Sequence, residues 1–581
     1  MGRDFPSSPP SLVMQIRFAC VVLCLLALSA AAAPAQHLEQ NWSEDDRQWF
    51  YTTPQGSKLI PYSWAFALQR ADSDALWIEN LERFGFLPNG KSAQNPDGLP
   101  VGVVRDDVHL GLTCAACHTN SVEYRGTTWQ IDGGPTNASL WYFLDDLGKA
   151  LNATAKSGVG GARFRAFAAR ALGGQDNAAN RAKLYKQLDD FNDYFVAFLA
   201  SSKPNTAWGN ARTDAFGMIF NRVTSIDLKI PSNSRRPDAP VSYPFLWDTG
   251  WHNKVQWNGS APNQFAVERL ARNVGEVLGV FAEIDIRKPT LLHPYYESTA
   301  KRLNLLEIED RLADLRSPKW PAALPPIDAE KSAQGQAIYN QQCLSCHAIA
   351  TPGQHQNIVM TPLSEIGTDP QMATVAAERT AKTGVLQGVR QFLLFGSRMG
   401  ATAGAGTITL NGVIGAILSP TSLDTPPVSG TAEPDVLDAD RARLRQQLLT
   451  DAKKDEGSLR FELETYLKSL GAHKATTDAT DSTIAYKARP LDGIWATAPY
   501  LHNGSVPTLW DLLLPVAQRP KTFYVGSREL DTTKVGFVAT DIPGAFLFDT
   551  SISGNSNTGH TMGATLSDAD RAALVEYLKS L

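Results

Sequence analysis

Two five-residue stretches contain the residue types that attach a haem group to a polypeptide. They read Cys114-Ala115-Ala116-Cys117-His118 and Cys343-Leu344-Ser345-Cys346-His347, and both fit the pattern C-x-x-C-H. In this pattern the two thiols bond covalently to the porphyrin, and the histidine that follows ligates its iron. Because the full pattern occurs twice, it favours two covalently bound haem c groups over a structural zinc site or a redox-active C-x-x-C pair.

The use of cysteine elsewhere in the chain supports this interpretation. The chain has six cysteines: four belong to the two motifs, and Cys20 and Cys24 lie in an apolar N-terminal stretch. The apolar run 18–30 follows a basic residue and precedes a series of alanines, which predicts a signal peptide over residues 1–35. The sequence therefore predicts an exported protein, periplasmic or secreted, without a transmembrane anchor.

Length and composition predict a globular protein of two domains. The 581 residues exceed what one hydrophobic core usually supports, and 43% of them are hydrophobic while 19% are charged. A proline-rich stretch at 317–326 predicts the boundary between an N-terminal haem c domain over 36–325 and a C-terminal cytochrome c domain over 326–581. The net charge of -5, without a long basic run, argues against a nucleic-acid partner.

The hydrophobic pattern predicts a mainly α fold for the elements that position the two motifs. Sustained alternation of polar and apolar residues is missing, so we expect two c-type cytochrome domains with long irregular loops and few short strands. Residues 328–331 begin a helix that leads into the second motif, and residues 567–570 cap the terminal helix. These two helices are expected to pack across each other. Residues 400–434 are predicted as a loop, and residues 458–470 as a helix.

The sixth iron ligand separates an electron carrier from a reactive haem. For the second motif His560 is the leading candidate, because it precedes the terminal helix, and Met562 is the alternative. A second histidine lowers the reduction potential, whereas a methionine raises it. For the first motif His252 and Met218 stay open as candidates, and no residue stands out. The sequence therefore predicts an open or water-ligated first iron.

Residues 204–263 form a long stretch rich in tryptophan, phenylalanine and proline. Long irregular segments inside a compact domain are more often functional than idle. Phe245, Trp247 and Trp257 belong to this stretch and are the candidates for a catalytic pocket that holds an apolar substrate. The alternative is an aromatic wall that only packs against the first haem.

The stretch Thr497-Ala498-Pro499-Tyr500-Leu501-His502-Asn503-Gly504-Ser505 resembles the T-A-P-Y-x-H-(D/N)-G-S element of the di-haem cytochrome c peroxidase superfamily. In that superfamily the element lies in the second domain, and main-chain oxygens of its Thr and Pro bind a calcium ion between the haems. The resemblance implies that Thr497 and Pro499 bind Ca²⁺, and that His502 lies near the haem without ligating its iron. Oxygen ligands of this kind suit calcium.

Within the superfamily the chain is most similar to the rubber-oxygenase-like branch. The similarity rests on Gly111-Leu112-Thr113, on Ile131-Asp132-Gly133-Gly134-Pro135 and on Val255-Gln256-Trp257-Asn258-Gly259-Ser260. It implies that the first haem is catalytic and binds oxygen in an apolar, aromatic pocket. It also implies that two histidines, His347 and His560, hold the second haem. Many peroxidases carry a displaceable histidine shortly after the first motif, and this sequence has none there.

These features predict an exported di-haem oxidoreductase that activates O2 or peroxide at the first haem. By its resemblance the reaction is the oxidative cleavage of an apolar unsaturated substrate. One alternative is a peroxidase that reduces H2O2 with electrons from a small redox protein such as a cytochrome. The other is an electron carrier in which both irons have two protein ligands.

Overall fold

The computed structural model describes residues 35–393, 395–419 and 484–581. The predicted signal peptide over 1–35, apart from its last residue, and the helix predicted over 458–470 lie outside the described residues. Of the described residues, 39% are helical and 16% are in strands, so the fold leans to α as predicted. None of the described helices is long and apolar enough to span a membrane.

The helices are numbered here in chain order. They are α1 (Glu44–Thr52), α2 (Tyr62–Ala65), α3 (Leu140–Lys156), α4 (Ala162–Leu172), α5 (Ala178–Ser202), α6 (Ala215–Asn221), α7 (Ala266–Gly279), α8 (Arg302–Asp314), α9 (Ala329–Gln342), α10 (Leu363–Ile366), α11 (Gln371–Glu378), α12 (Ala405–Leu418), α13 (Leu509–Leu512) and α14 (Asp568–Ser580).

The strands are short and pair in small sheets of two or three. They are β1 (Gln36–His37), β2 (Ile60–Pro61), β3 (Val103–Asp106), β4 (His109–Leu112), β5 (Thr119–Tyr124), β6 (Thr127–Asp132), β7 (Arg212–Thr213), β8 (Val241–Ser242), β9 (Lys254–Val255), β10 (Ala261–Pro262), β11 (Val359–Pro362), β12 (Thr380–Lys382), β13 (Arg390–Phe392), β14 (Phe395–Arg398), β15 (Thr402–Gly404), β16 (Ala485–Ala488), β17 (Thr522–Val525), β18 (Leu530–Asp531), β19 (Gly536–Phe537) and β20 (Phe546–Asp549).

The expectation of few strands was wrong, although their shortness was predicted. Two antiparallel hairpins flank the first motif: β3 pairs with β4 before it, and β5 pairs with β6 after it. The first four residues of β5, Thr119 to Val122, are all buried although three are polar, so no polar–apolar alternation marks this strand in the sequence. The hairpins fix both ends of the motif, whose residues Cys114–Ala116 form one 3-10 turn.

The amino-terminal core forms where α3, α4 and α5 pack together. Helix α3 buries Phe143, Leu144, Leu147 and Leu151, which recur every three or four residues and so share one face. The aromatic side chains of α4 and α5 pack on this face, with Phe164 and Phe195 fully buried. This core lies beside the haem motif and gives its hairpins a rigid support.

Helices α9 and α14 cross at close range, as the sequence predicted. A Cβ atom added at Gly335 would lie 2.0 Å from the main-chain oxygen of Ala573, so only glycine permits this approach. The rings of Tyr339 and Tyr577 pack with centroids 5.2 Å apart beside the crossing. The Ser567 side chain accepts from the main-chain nitrogen of Asp570 and begins the terminal helix.

Residues 405–418 correct another expectation, because they form α12 rather than part of a loop over 400–434. Most of α12 is buried, and Gly415 packs directly on the ring of Tyr296. A helix that is buried on every side needs no polar face, so its sequence lacks the periodicity that marks a surface helix. Its glycine and threonine content therefore gave a misleading signal.

The buried cores extend across the predicted domain boundary. One cluster joins Leu38, Trp129 and Phe245 to Trp495 and Leu574. The domains 36–325 and 326–581 stay a prediction, and in the structure they share buried apolar surface.

Candidate functional site

The first motif lies in the wall of a cavity that is partly open to solvent. Cys114, Cys117 and His118 all line it, which places both thiols and the imidazole around one space. Most of the remaining lining is apolar and includes Leu140, Phe216, Met218, Ile219, Phe245, Trp257 and Val277.

The His118 imidazole has a fixed orientation. Its Nδ1 donates to the main-chain oxygen of Pro244 at 2.8 Å, which leaves Nε2 free to bind a metal. Burial lowers the pKa of His118 to about 4, so the ring is neutral at physiological pH. A neutral imidazole whose second nitrogen is held by a carbonyl is the form that ligates metals in proteins.

The two thiols of the first motif also suit covalent attachment. Burial raises the pKa of both Cys114 and Cys117 to about 12, so neither is an ionised catalytic thiol. The turn that carries them packs on Gly102, where an added Cβ would lie 2.0 Å from the Ala116 nitrogen. The residues around this cavity therefore fit a haem c group.

The second motif shows a matching arrangement with a second histidine. His347 Nδ1 donates to the main-chain oxygen of Arg489 at 2.7 Å. The ring of His560 faces that of His347, with centroids 6.1 Å apart and an angle of 49° between the planes. Two imidazoles that bind one metal from opposite sides, each with a nitrogen about 2 Å from it, have centroids about 6 Å apart. The pair therefore fits a haem held by two histidines.

The backbone around His560 is built to present this ring. Gly559, with φ of +71°, packs so closely on residues 367–368 that an added Cβ would lie 2.3 Å from main-chain atoms. The His560 nitrogen donates to the Ile366 oxygen at 2.8 Å. Arg519 donates to the main-chain oxygens of Gly559 and His560 at 2.9 and 2.8 Å. Sequence reasoning missed Arg519, which no motif marks.

The two motifs are connected through Arg489, which sequence reasoning also missed. Its main-chain oxygen accepts from His347, and its Nη2 donates to the main-chain oxygen of Phe245 at 2.7 Å. The guanidinium lies 3.2 Å above the Phe245 ring, whose other neighbour is Trp247, stacked at 4.4 Å. Because Phe245 directly follows Pro244, which orients His118, a short path of contacts joins the two candidate haem sites.

The predicted aromatic residues have different positions in this arrangement. Phe245 and Trp257 line the cavity, and Trp257 Nε1 donates to the Ser242 oxygen at 2.8 Å. Trp247 is fully buried and does not line the cavity; its Nε1 donates to the Asp492 oxygen at 2.7 Å. Trp247 therefore supports Phe245 from behind.

The two candidate sixth ligands of the first haem are also separated. Met218 lines the cavity, whereas His252 does not. His252 is buried, and neither of its ring nitrogens has a partner among the described residues. Burial, followed by the charges of Arg489 and Lys487, holds its pKa well below the ordinary value.

A group of three charged residues and one amide lies in the mainly apolar lining of the cavity. It comprises Gln256, Arg272, Glu276 and Lys487. Gln256 Nε2 donates to Glu276 Oε1 at 2.7 Å, and Arg272 Nη2 donates to Glu309 Oε1 at 2.7 Å. Helix α7 supplies Arg272 and Glu276, which line the cavity. In the sequence, these charged residues on the inner face of an amphipathic helix could have indicated a polar site.

The implied calcium ligands, Thr497 and Pro499, stay a prediction. The described residues contain no group of three or more His, Cys, Asp or Glu side chains arranged to hold a metal ion. His502 lies nearby in sequence and is buried, stacked on Tyr486 at 4.0 Å. Burial lowers the pKa of His502 to about 3, so it packs as a neutral ring.

One segment of the chain matches a known family. Residues 485–524 match a family model described as RoxA-like, cytochrome c-like. This segment includes β16, the Arg489 oxygen that orients His347, and the stretch from Thr497 to His502. The match supports haem c as the group that the chain binds.

Two proteins of Sinorhizobium fredii are similar to the chain. The one described as uncharacterized protein y4iJ is 32% identical over 624 aligned residues, which cover 94% of this chain and 93% of the relative. The one described as uncharacterized protein y4iM is 25% identical over 367 residues, which cover 61% of this chain and 64% of the relative. The first likeness runs through both C-x-x-C-H regions.

Proposed function

The chain belongs to the same family as y4iJ of Sinorhizobium fredii and carries a RoxA-like, cytochrome c-like segment, and we propose that it is an exported di-haem c oxidoreductase. Cys114, Cys117 and His118 hold the first haem. Cys343, Cys346, His347 and His560 hold the second. Haem c, when bound, supplies an iron that binds and reduces oxygen or peroxide, or that transfers single electrons.

The unequal surroundings of the two histidines support different roles for the two sites. His347 faces the ring of His560, so two protein imidazoles would hold the second haem and leave its iron closed to a substrate. His118 instead faces a cavity with mainly apolar walls. We assign electron transfer to the second site and reaction with O2 or peroxide to the first.

The residues around the first site orient the His118 ring, bind the substrate and exclude water. Pro244 holds the His118 ring through Nδ1, and Phe245 and Trp257 give the cavity aromatic walls. Apolar walls favour an apolar substrate, because burying its surface removes it from water. We propose that the substrate has a carbon–carbon double bond, which O2 cleaves to two carbonyl groups with both oxygen atoms retained in the products.

Optical and electron paramagnetic resonance spectra of the purified protein test the assignment. We expect two haems per chain, one low-spin and unreactive, and one high-spin that binds cyanide. Two low-spin haems that do not bind cyanide would contradict it. Met218 lines the cavity and is the candidate sixth ligand there. If the first haem is low-spin in the unsubstituted protein and becomes high-spin in Met218→Leu, then Met218 ligates its iron and the protein is an electron carrier.

Turnover distinguishes the two enzymatic functions. Oxygen uptake on an unsaturated hydrocarbon, with aldehyde or ketone products that contain label from ¹⁸O2, supports the oxygenase. Consumption of H2O2 with a reduced small cytochrome as electron donor supports the peroxidase instead. The calcium site at Thr497 and Pro499 belongs to the same proposal, and chelation followed by metal analysis tests it.

A further inference from the structure

Lys487 is a buried lysine whose side chain lines the cavity of the first site. Only 7% of the residue is exposed. It belongs to β16, where neighbouring side chains point to opposite faces. Tyr486 accordingly stacks on His502, while Lys487 reaches the cavity.

Cations outnumber anions around Lys487. Among the described residues no carboxylate forms an ion pair with its ammonium; the cations Arg272 and Arg489 act on it, and Glu276 opposes them. Glu276 also acts on Arg272, and the other nearby carboxylate, Glu309, pairs with Arg272 at 2.7 Å. Burying an ammonium ion without a partner is costly, so such groups are normally paired.

The surroundings therefore call for a negatively charged group inside the cavity. The cavity is mostly apolar, and its lining includes Cys114, Cys117 and His118 as well as the cations Lys487 and Arg272. Haem carries two propionate carboxylates on the porphyrin edge opposite the thioether bonds. A carboxylate there would neutralise the ammonium and accept its hydrogen bonds.

We propose that Lys487 anchors a carboxylate in this cavity, and that the carboxylate is a propionate of the first haem. The inference rests on the two haems proposed above and adds a residue that positions the first of them. An apolar ligand with a carboxylate end, such as a fatty acid, is the other source of the same chemistry. In either case Lys487 acts through its charge.

Redox titration of the full-length holoprotein tests this role. Substituting Lys487 by Met removes a buried cation near the first haem, so its midpoint potential should fall, because the cation stabilises the added electron. Lys487→Arg keeps the charge and should keep the potential closer to that of the unsubstituted protein. The second haem should be unchanged in both variants. Where Lys487→Met does not mature, Lys487→Gln gives the same neutralisation with a polar side chain.

Lys301→Met is the matched control. Lys301 is also largely buried, but Asp106 and Asp107 pair with it at 2.8 and 3.1 Å, so the protein itself neutralises its charge. This variant should lose stability and keep both potentials. A loss of packing alone at Lys487 would likewise change the unfolding midpoint without moving the potential.

Oleate binding separates the two carboxylate sources. If Lys487→Met lowers the midpoint potential of the first haem and leaves oleate affinity unchanged, the carboxylate held by Lys487 is the haem propionate. An unchanged potential with at least tenfold weaker oleate binding assigns a ligand carboxylate and overturns the propionate. Unchanged potential and unchanged affinity overturn the anchor altogether. Mass spectrometry of the unsubstituted protein distinguishes all of these from failure of the proposed function, which would show as fewer than two haems per chain.

Discussion

The guanidinium of Arg489 donates through Nη2 to the main-chain oxygen of Phe245 at 2.7 Å. This bond joins the two halves of the candidate site, because the residue before Phe245 orients His118 and the main-chain oxygen of Arg489 orients His347. One side-chain contact therefore links the two segments that orient the imidazoles. Neither C-x-x-C-H motif contains a residue that reveals this connection.

Substituting Arg489 by Met should perturb both haems. The variant loses a charge-assisted hydrogen bond, which costs about 1.5–3 kcal/mol of unfolding free energy. Segment 244–245 loses its anchor, so the optical spectra of both haems should shift. Arg83→Met is the control: Arg83 also lies over a phenylalanine ring and donates to main-chain oxygens, but these belong to Trp77, Glu79 and Asn80, far from both motifs in the chain. A shift confined to one haem would contradict the connection.

Substituting His560 by Ala should change the spectrum of one haem only. The facing ring at 6.1 Å is removed, so a haem held by His347 and His560 would lose one of its two histidine ligands and become high-spin. The first haem, with His118 and its cavity intact, should keep its spectrum. If neither spectrum changes, the sixth ligand is Met562, and Met562→Leu should then produce the high-spin signal.

Substituting Gly335 by Ala should destabilise the crossing of α9 and α14. The added methyl group would lie 2.0 Å from the Ala573 oxygen, and such overpacking costs about 1–3 kcal/mol. Gly406 in α12 is the control, because the nearest atom to an added Cβ is a ring carbon of Phe220 at 3.9 Å. Gly406→Ala should be neutral or gain up to about 1 kcal/mol. Equal unfolding midpoints for the two variants would show that the crossing tolerates the methyl group.

The sequence was most informative where local chemistry determines structure. The helix starts at 328–331 and 567–570 act through neighbouring residues, and they correctly predicted α9, α14 and their packing. His560 was chosen from its position in the loop before the terminal helix; its ring lies 6.1 Å from that of His347, and its role as an iron ligand stays a prediction.

The sequence was least informative where long-range contacts determine structure. The hairpins around the first motif consist of short strands with buried polar residues, and most of α12 is buried, so neither has the usual periodicity. Arg489 and Lys487 have functional neighbours only because β16 and the segment after it pack beside the first motif. Such neighbours, hundreds of residues away in the chain, have no local sequence pattern.

Asp227 should make stability depend on pH. Its carboxyl is buried beside Arg222, with Oδ1 3.1 Å from Nε and Oδ2 without a partner among the described residues. Burial outweighs this guanidinium and raises the pKa of Asp227 to about 7. The folded state therefore binds more protons than the unfolded state between about pH 4 and pH 7, so stability is lost as pH rises through this window.

Asp227→Asn removes this titration. As pH rises from 4 to 8, the unsubstituted protein should lose up to about 4 kcal/mol of unfolding free energy relative to the variant. Chemical denaturation followed by circular dichroism at several pH values measures it. Asp193→Asn, an exposed change on α5, is the control and should follow the unsubstituted protein. A parallel pH profile for Asp227→Asn would contradict the raised pKa.

Trp257 and Trp247 should differ in what their substitution changes. Trp257 lines the cavity, so Trp257→Ala removes apolar surface from the wall that contacts the substrate. The affinity for an unsaturated hydrocarbon should fall by tenfold or more, about 1.4 kcal/mol. Trp247 lies behind Phe245 and bonds to the Asp492 oxygen. Trp247→Phe keeps the stacking and loses that bond, so it should cost about 0.5–1.5 kcal/mol of stability and leave affinity unchanged. Titration with a short isoprenoid hydrocarbon, monitored by the spectrum of the first haem, compares the two. Equal losses of affinity would show that Trp247 also contacts the substrate, and no loss in either would show that the substrate binds elsewhere.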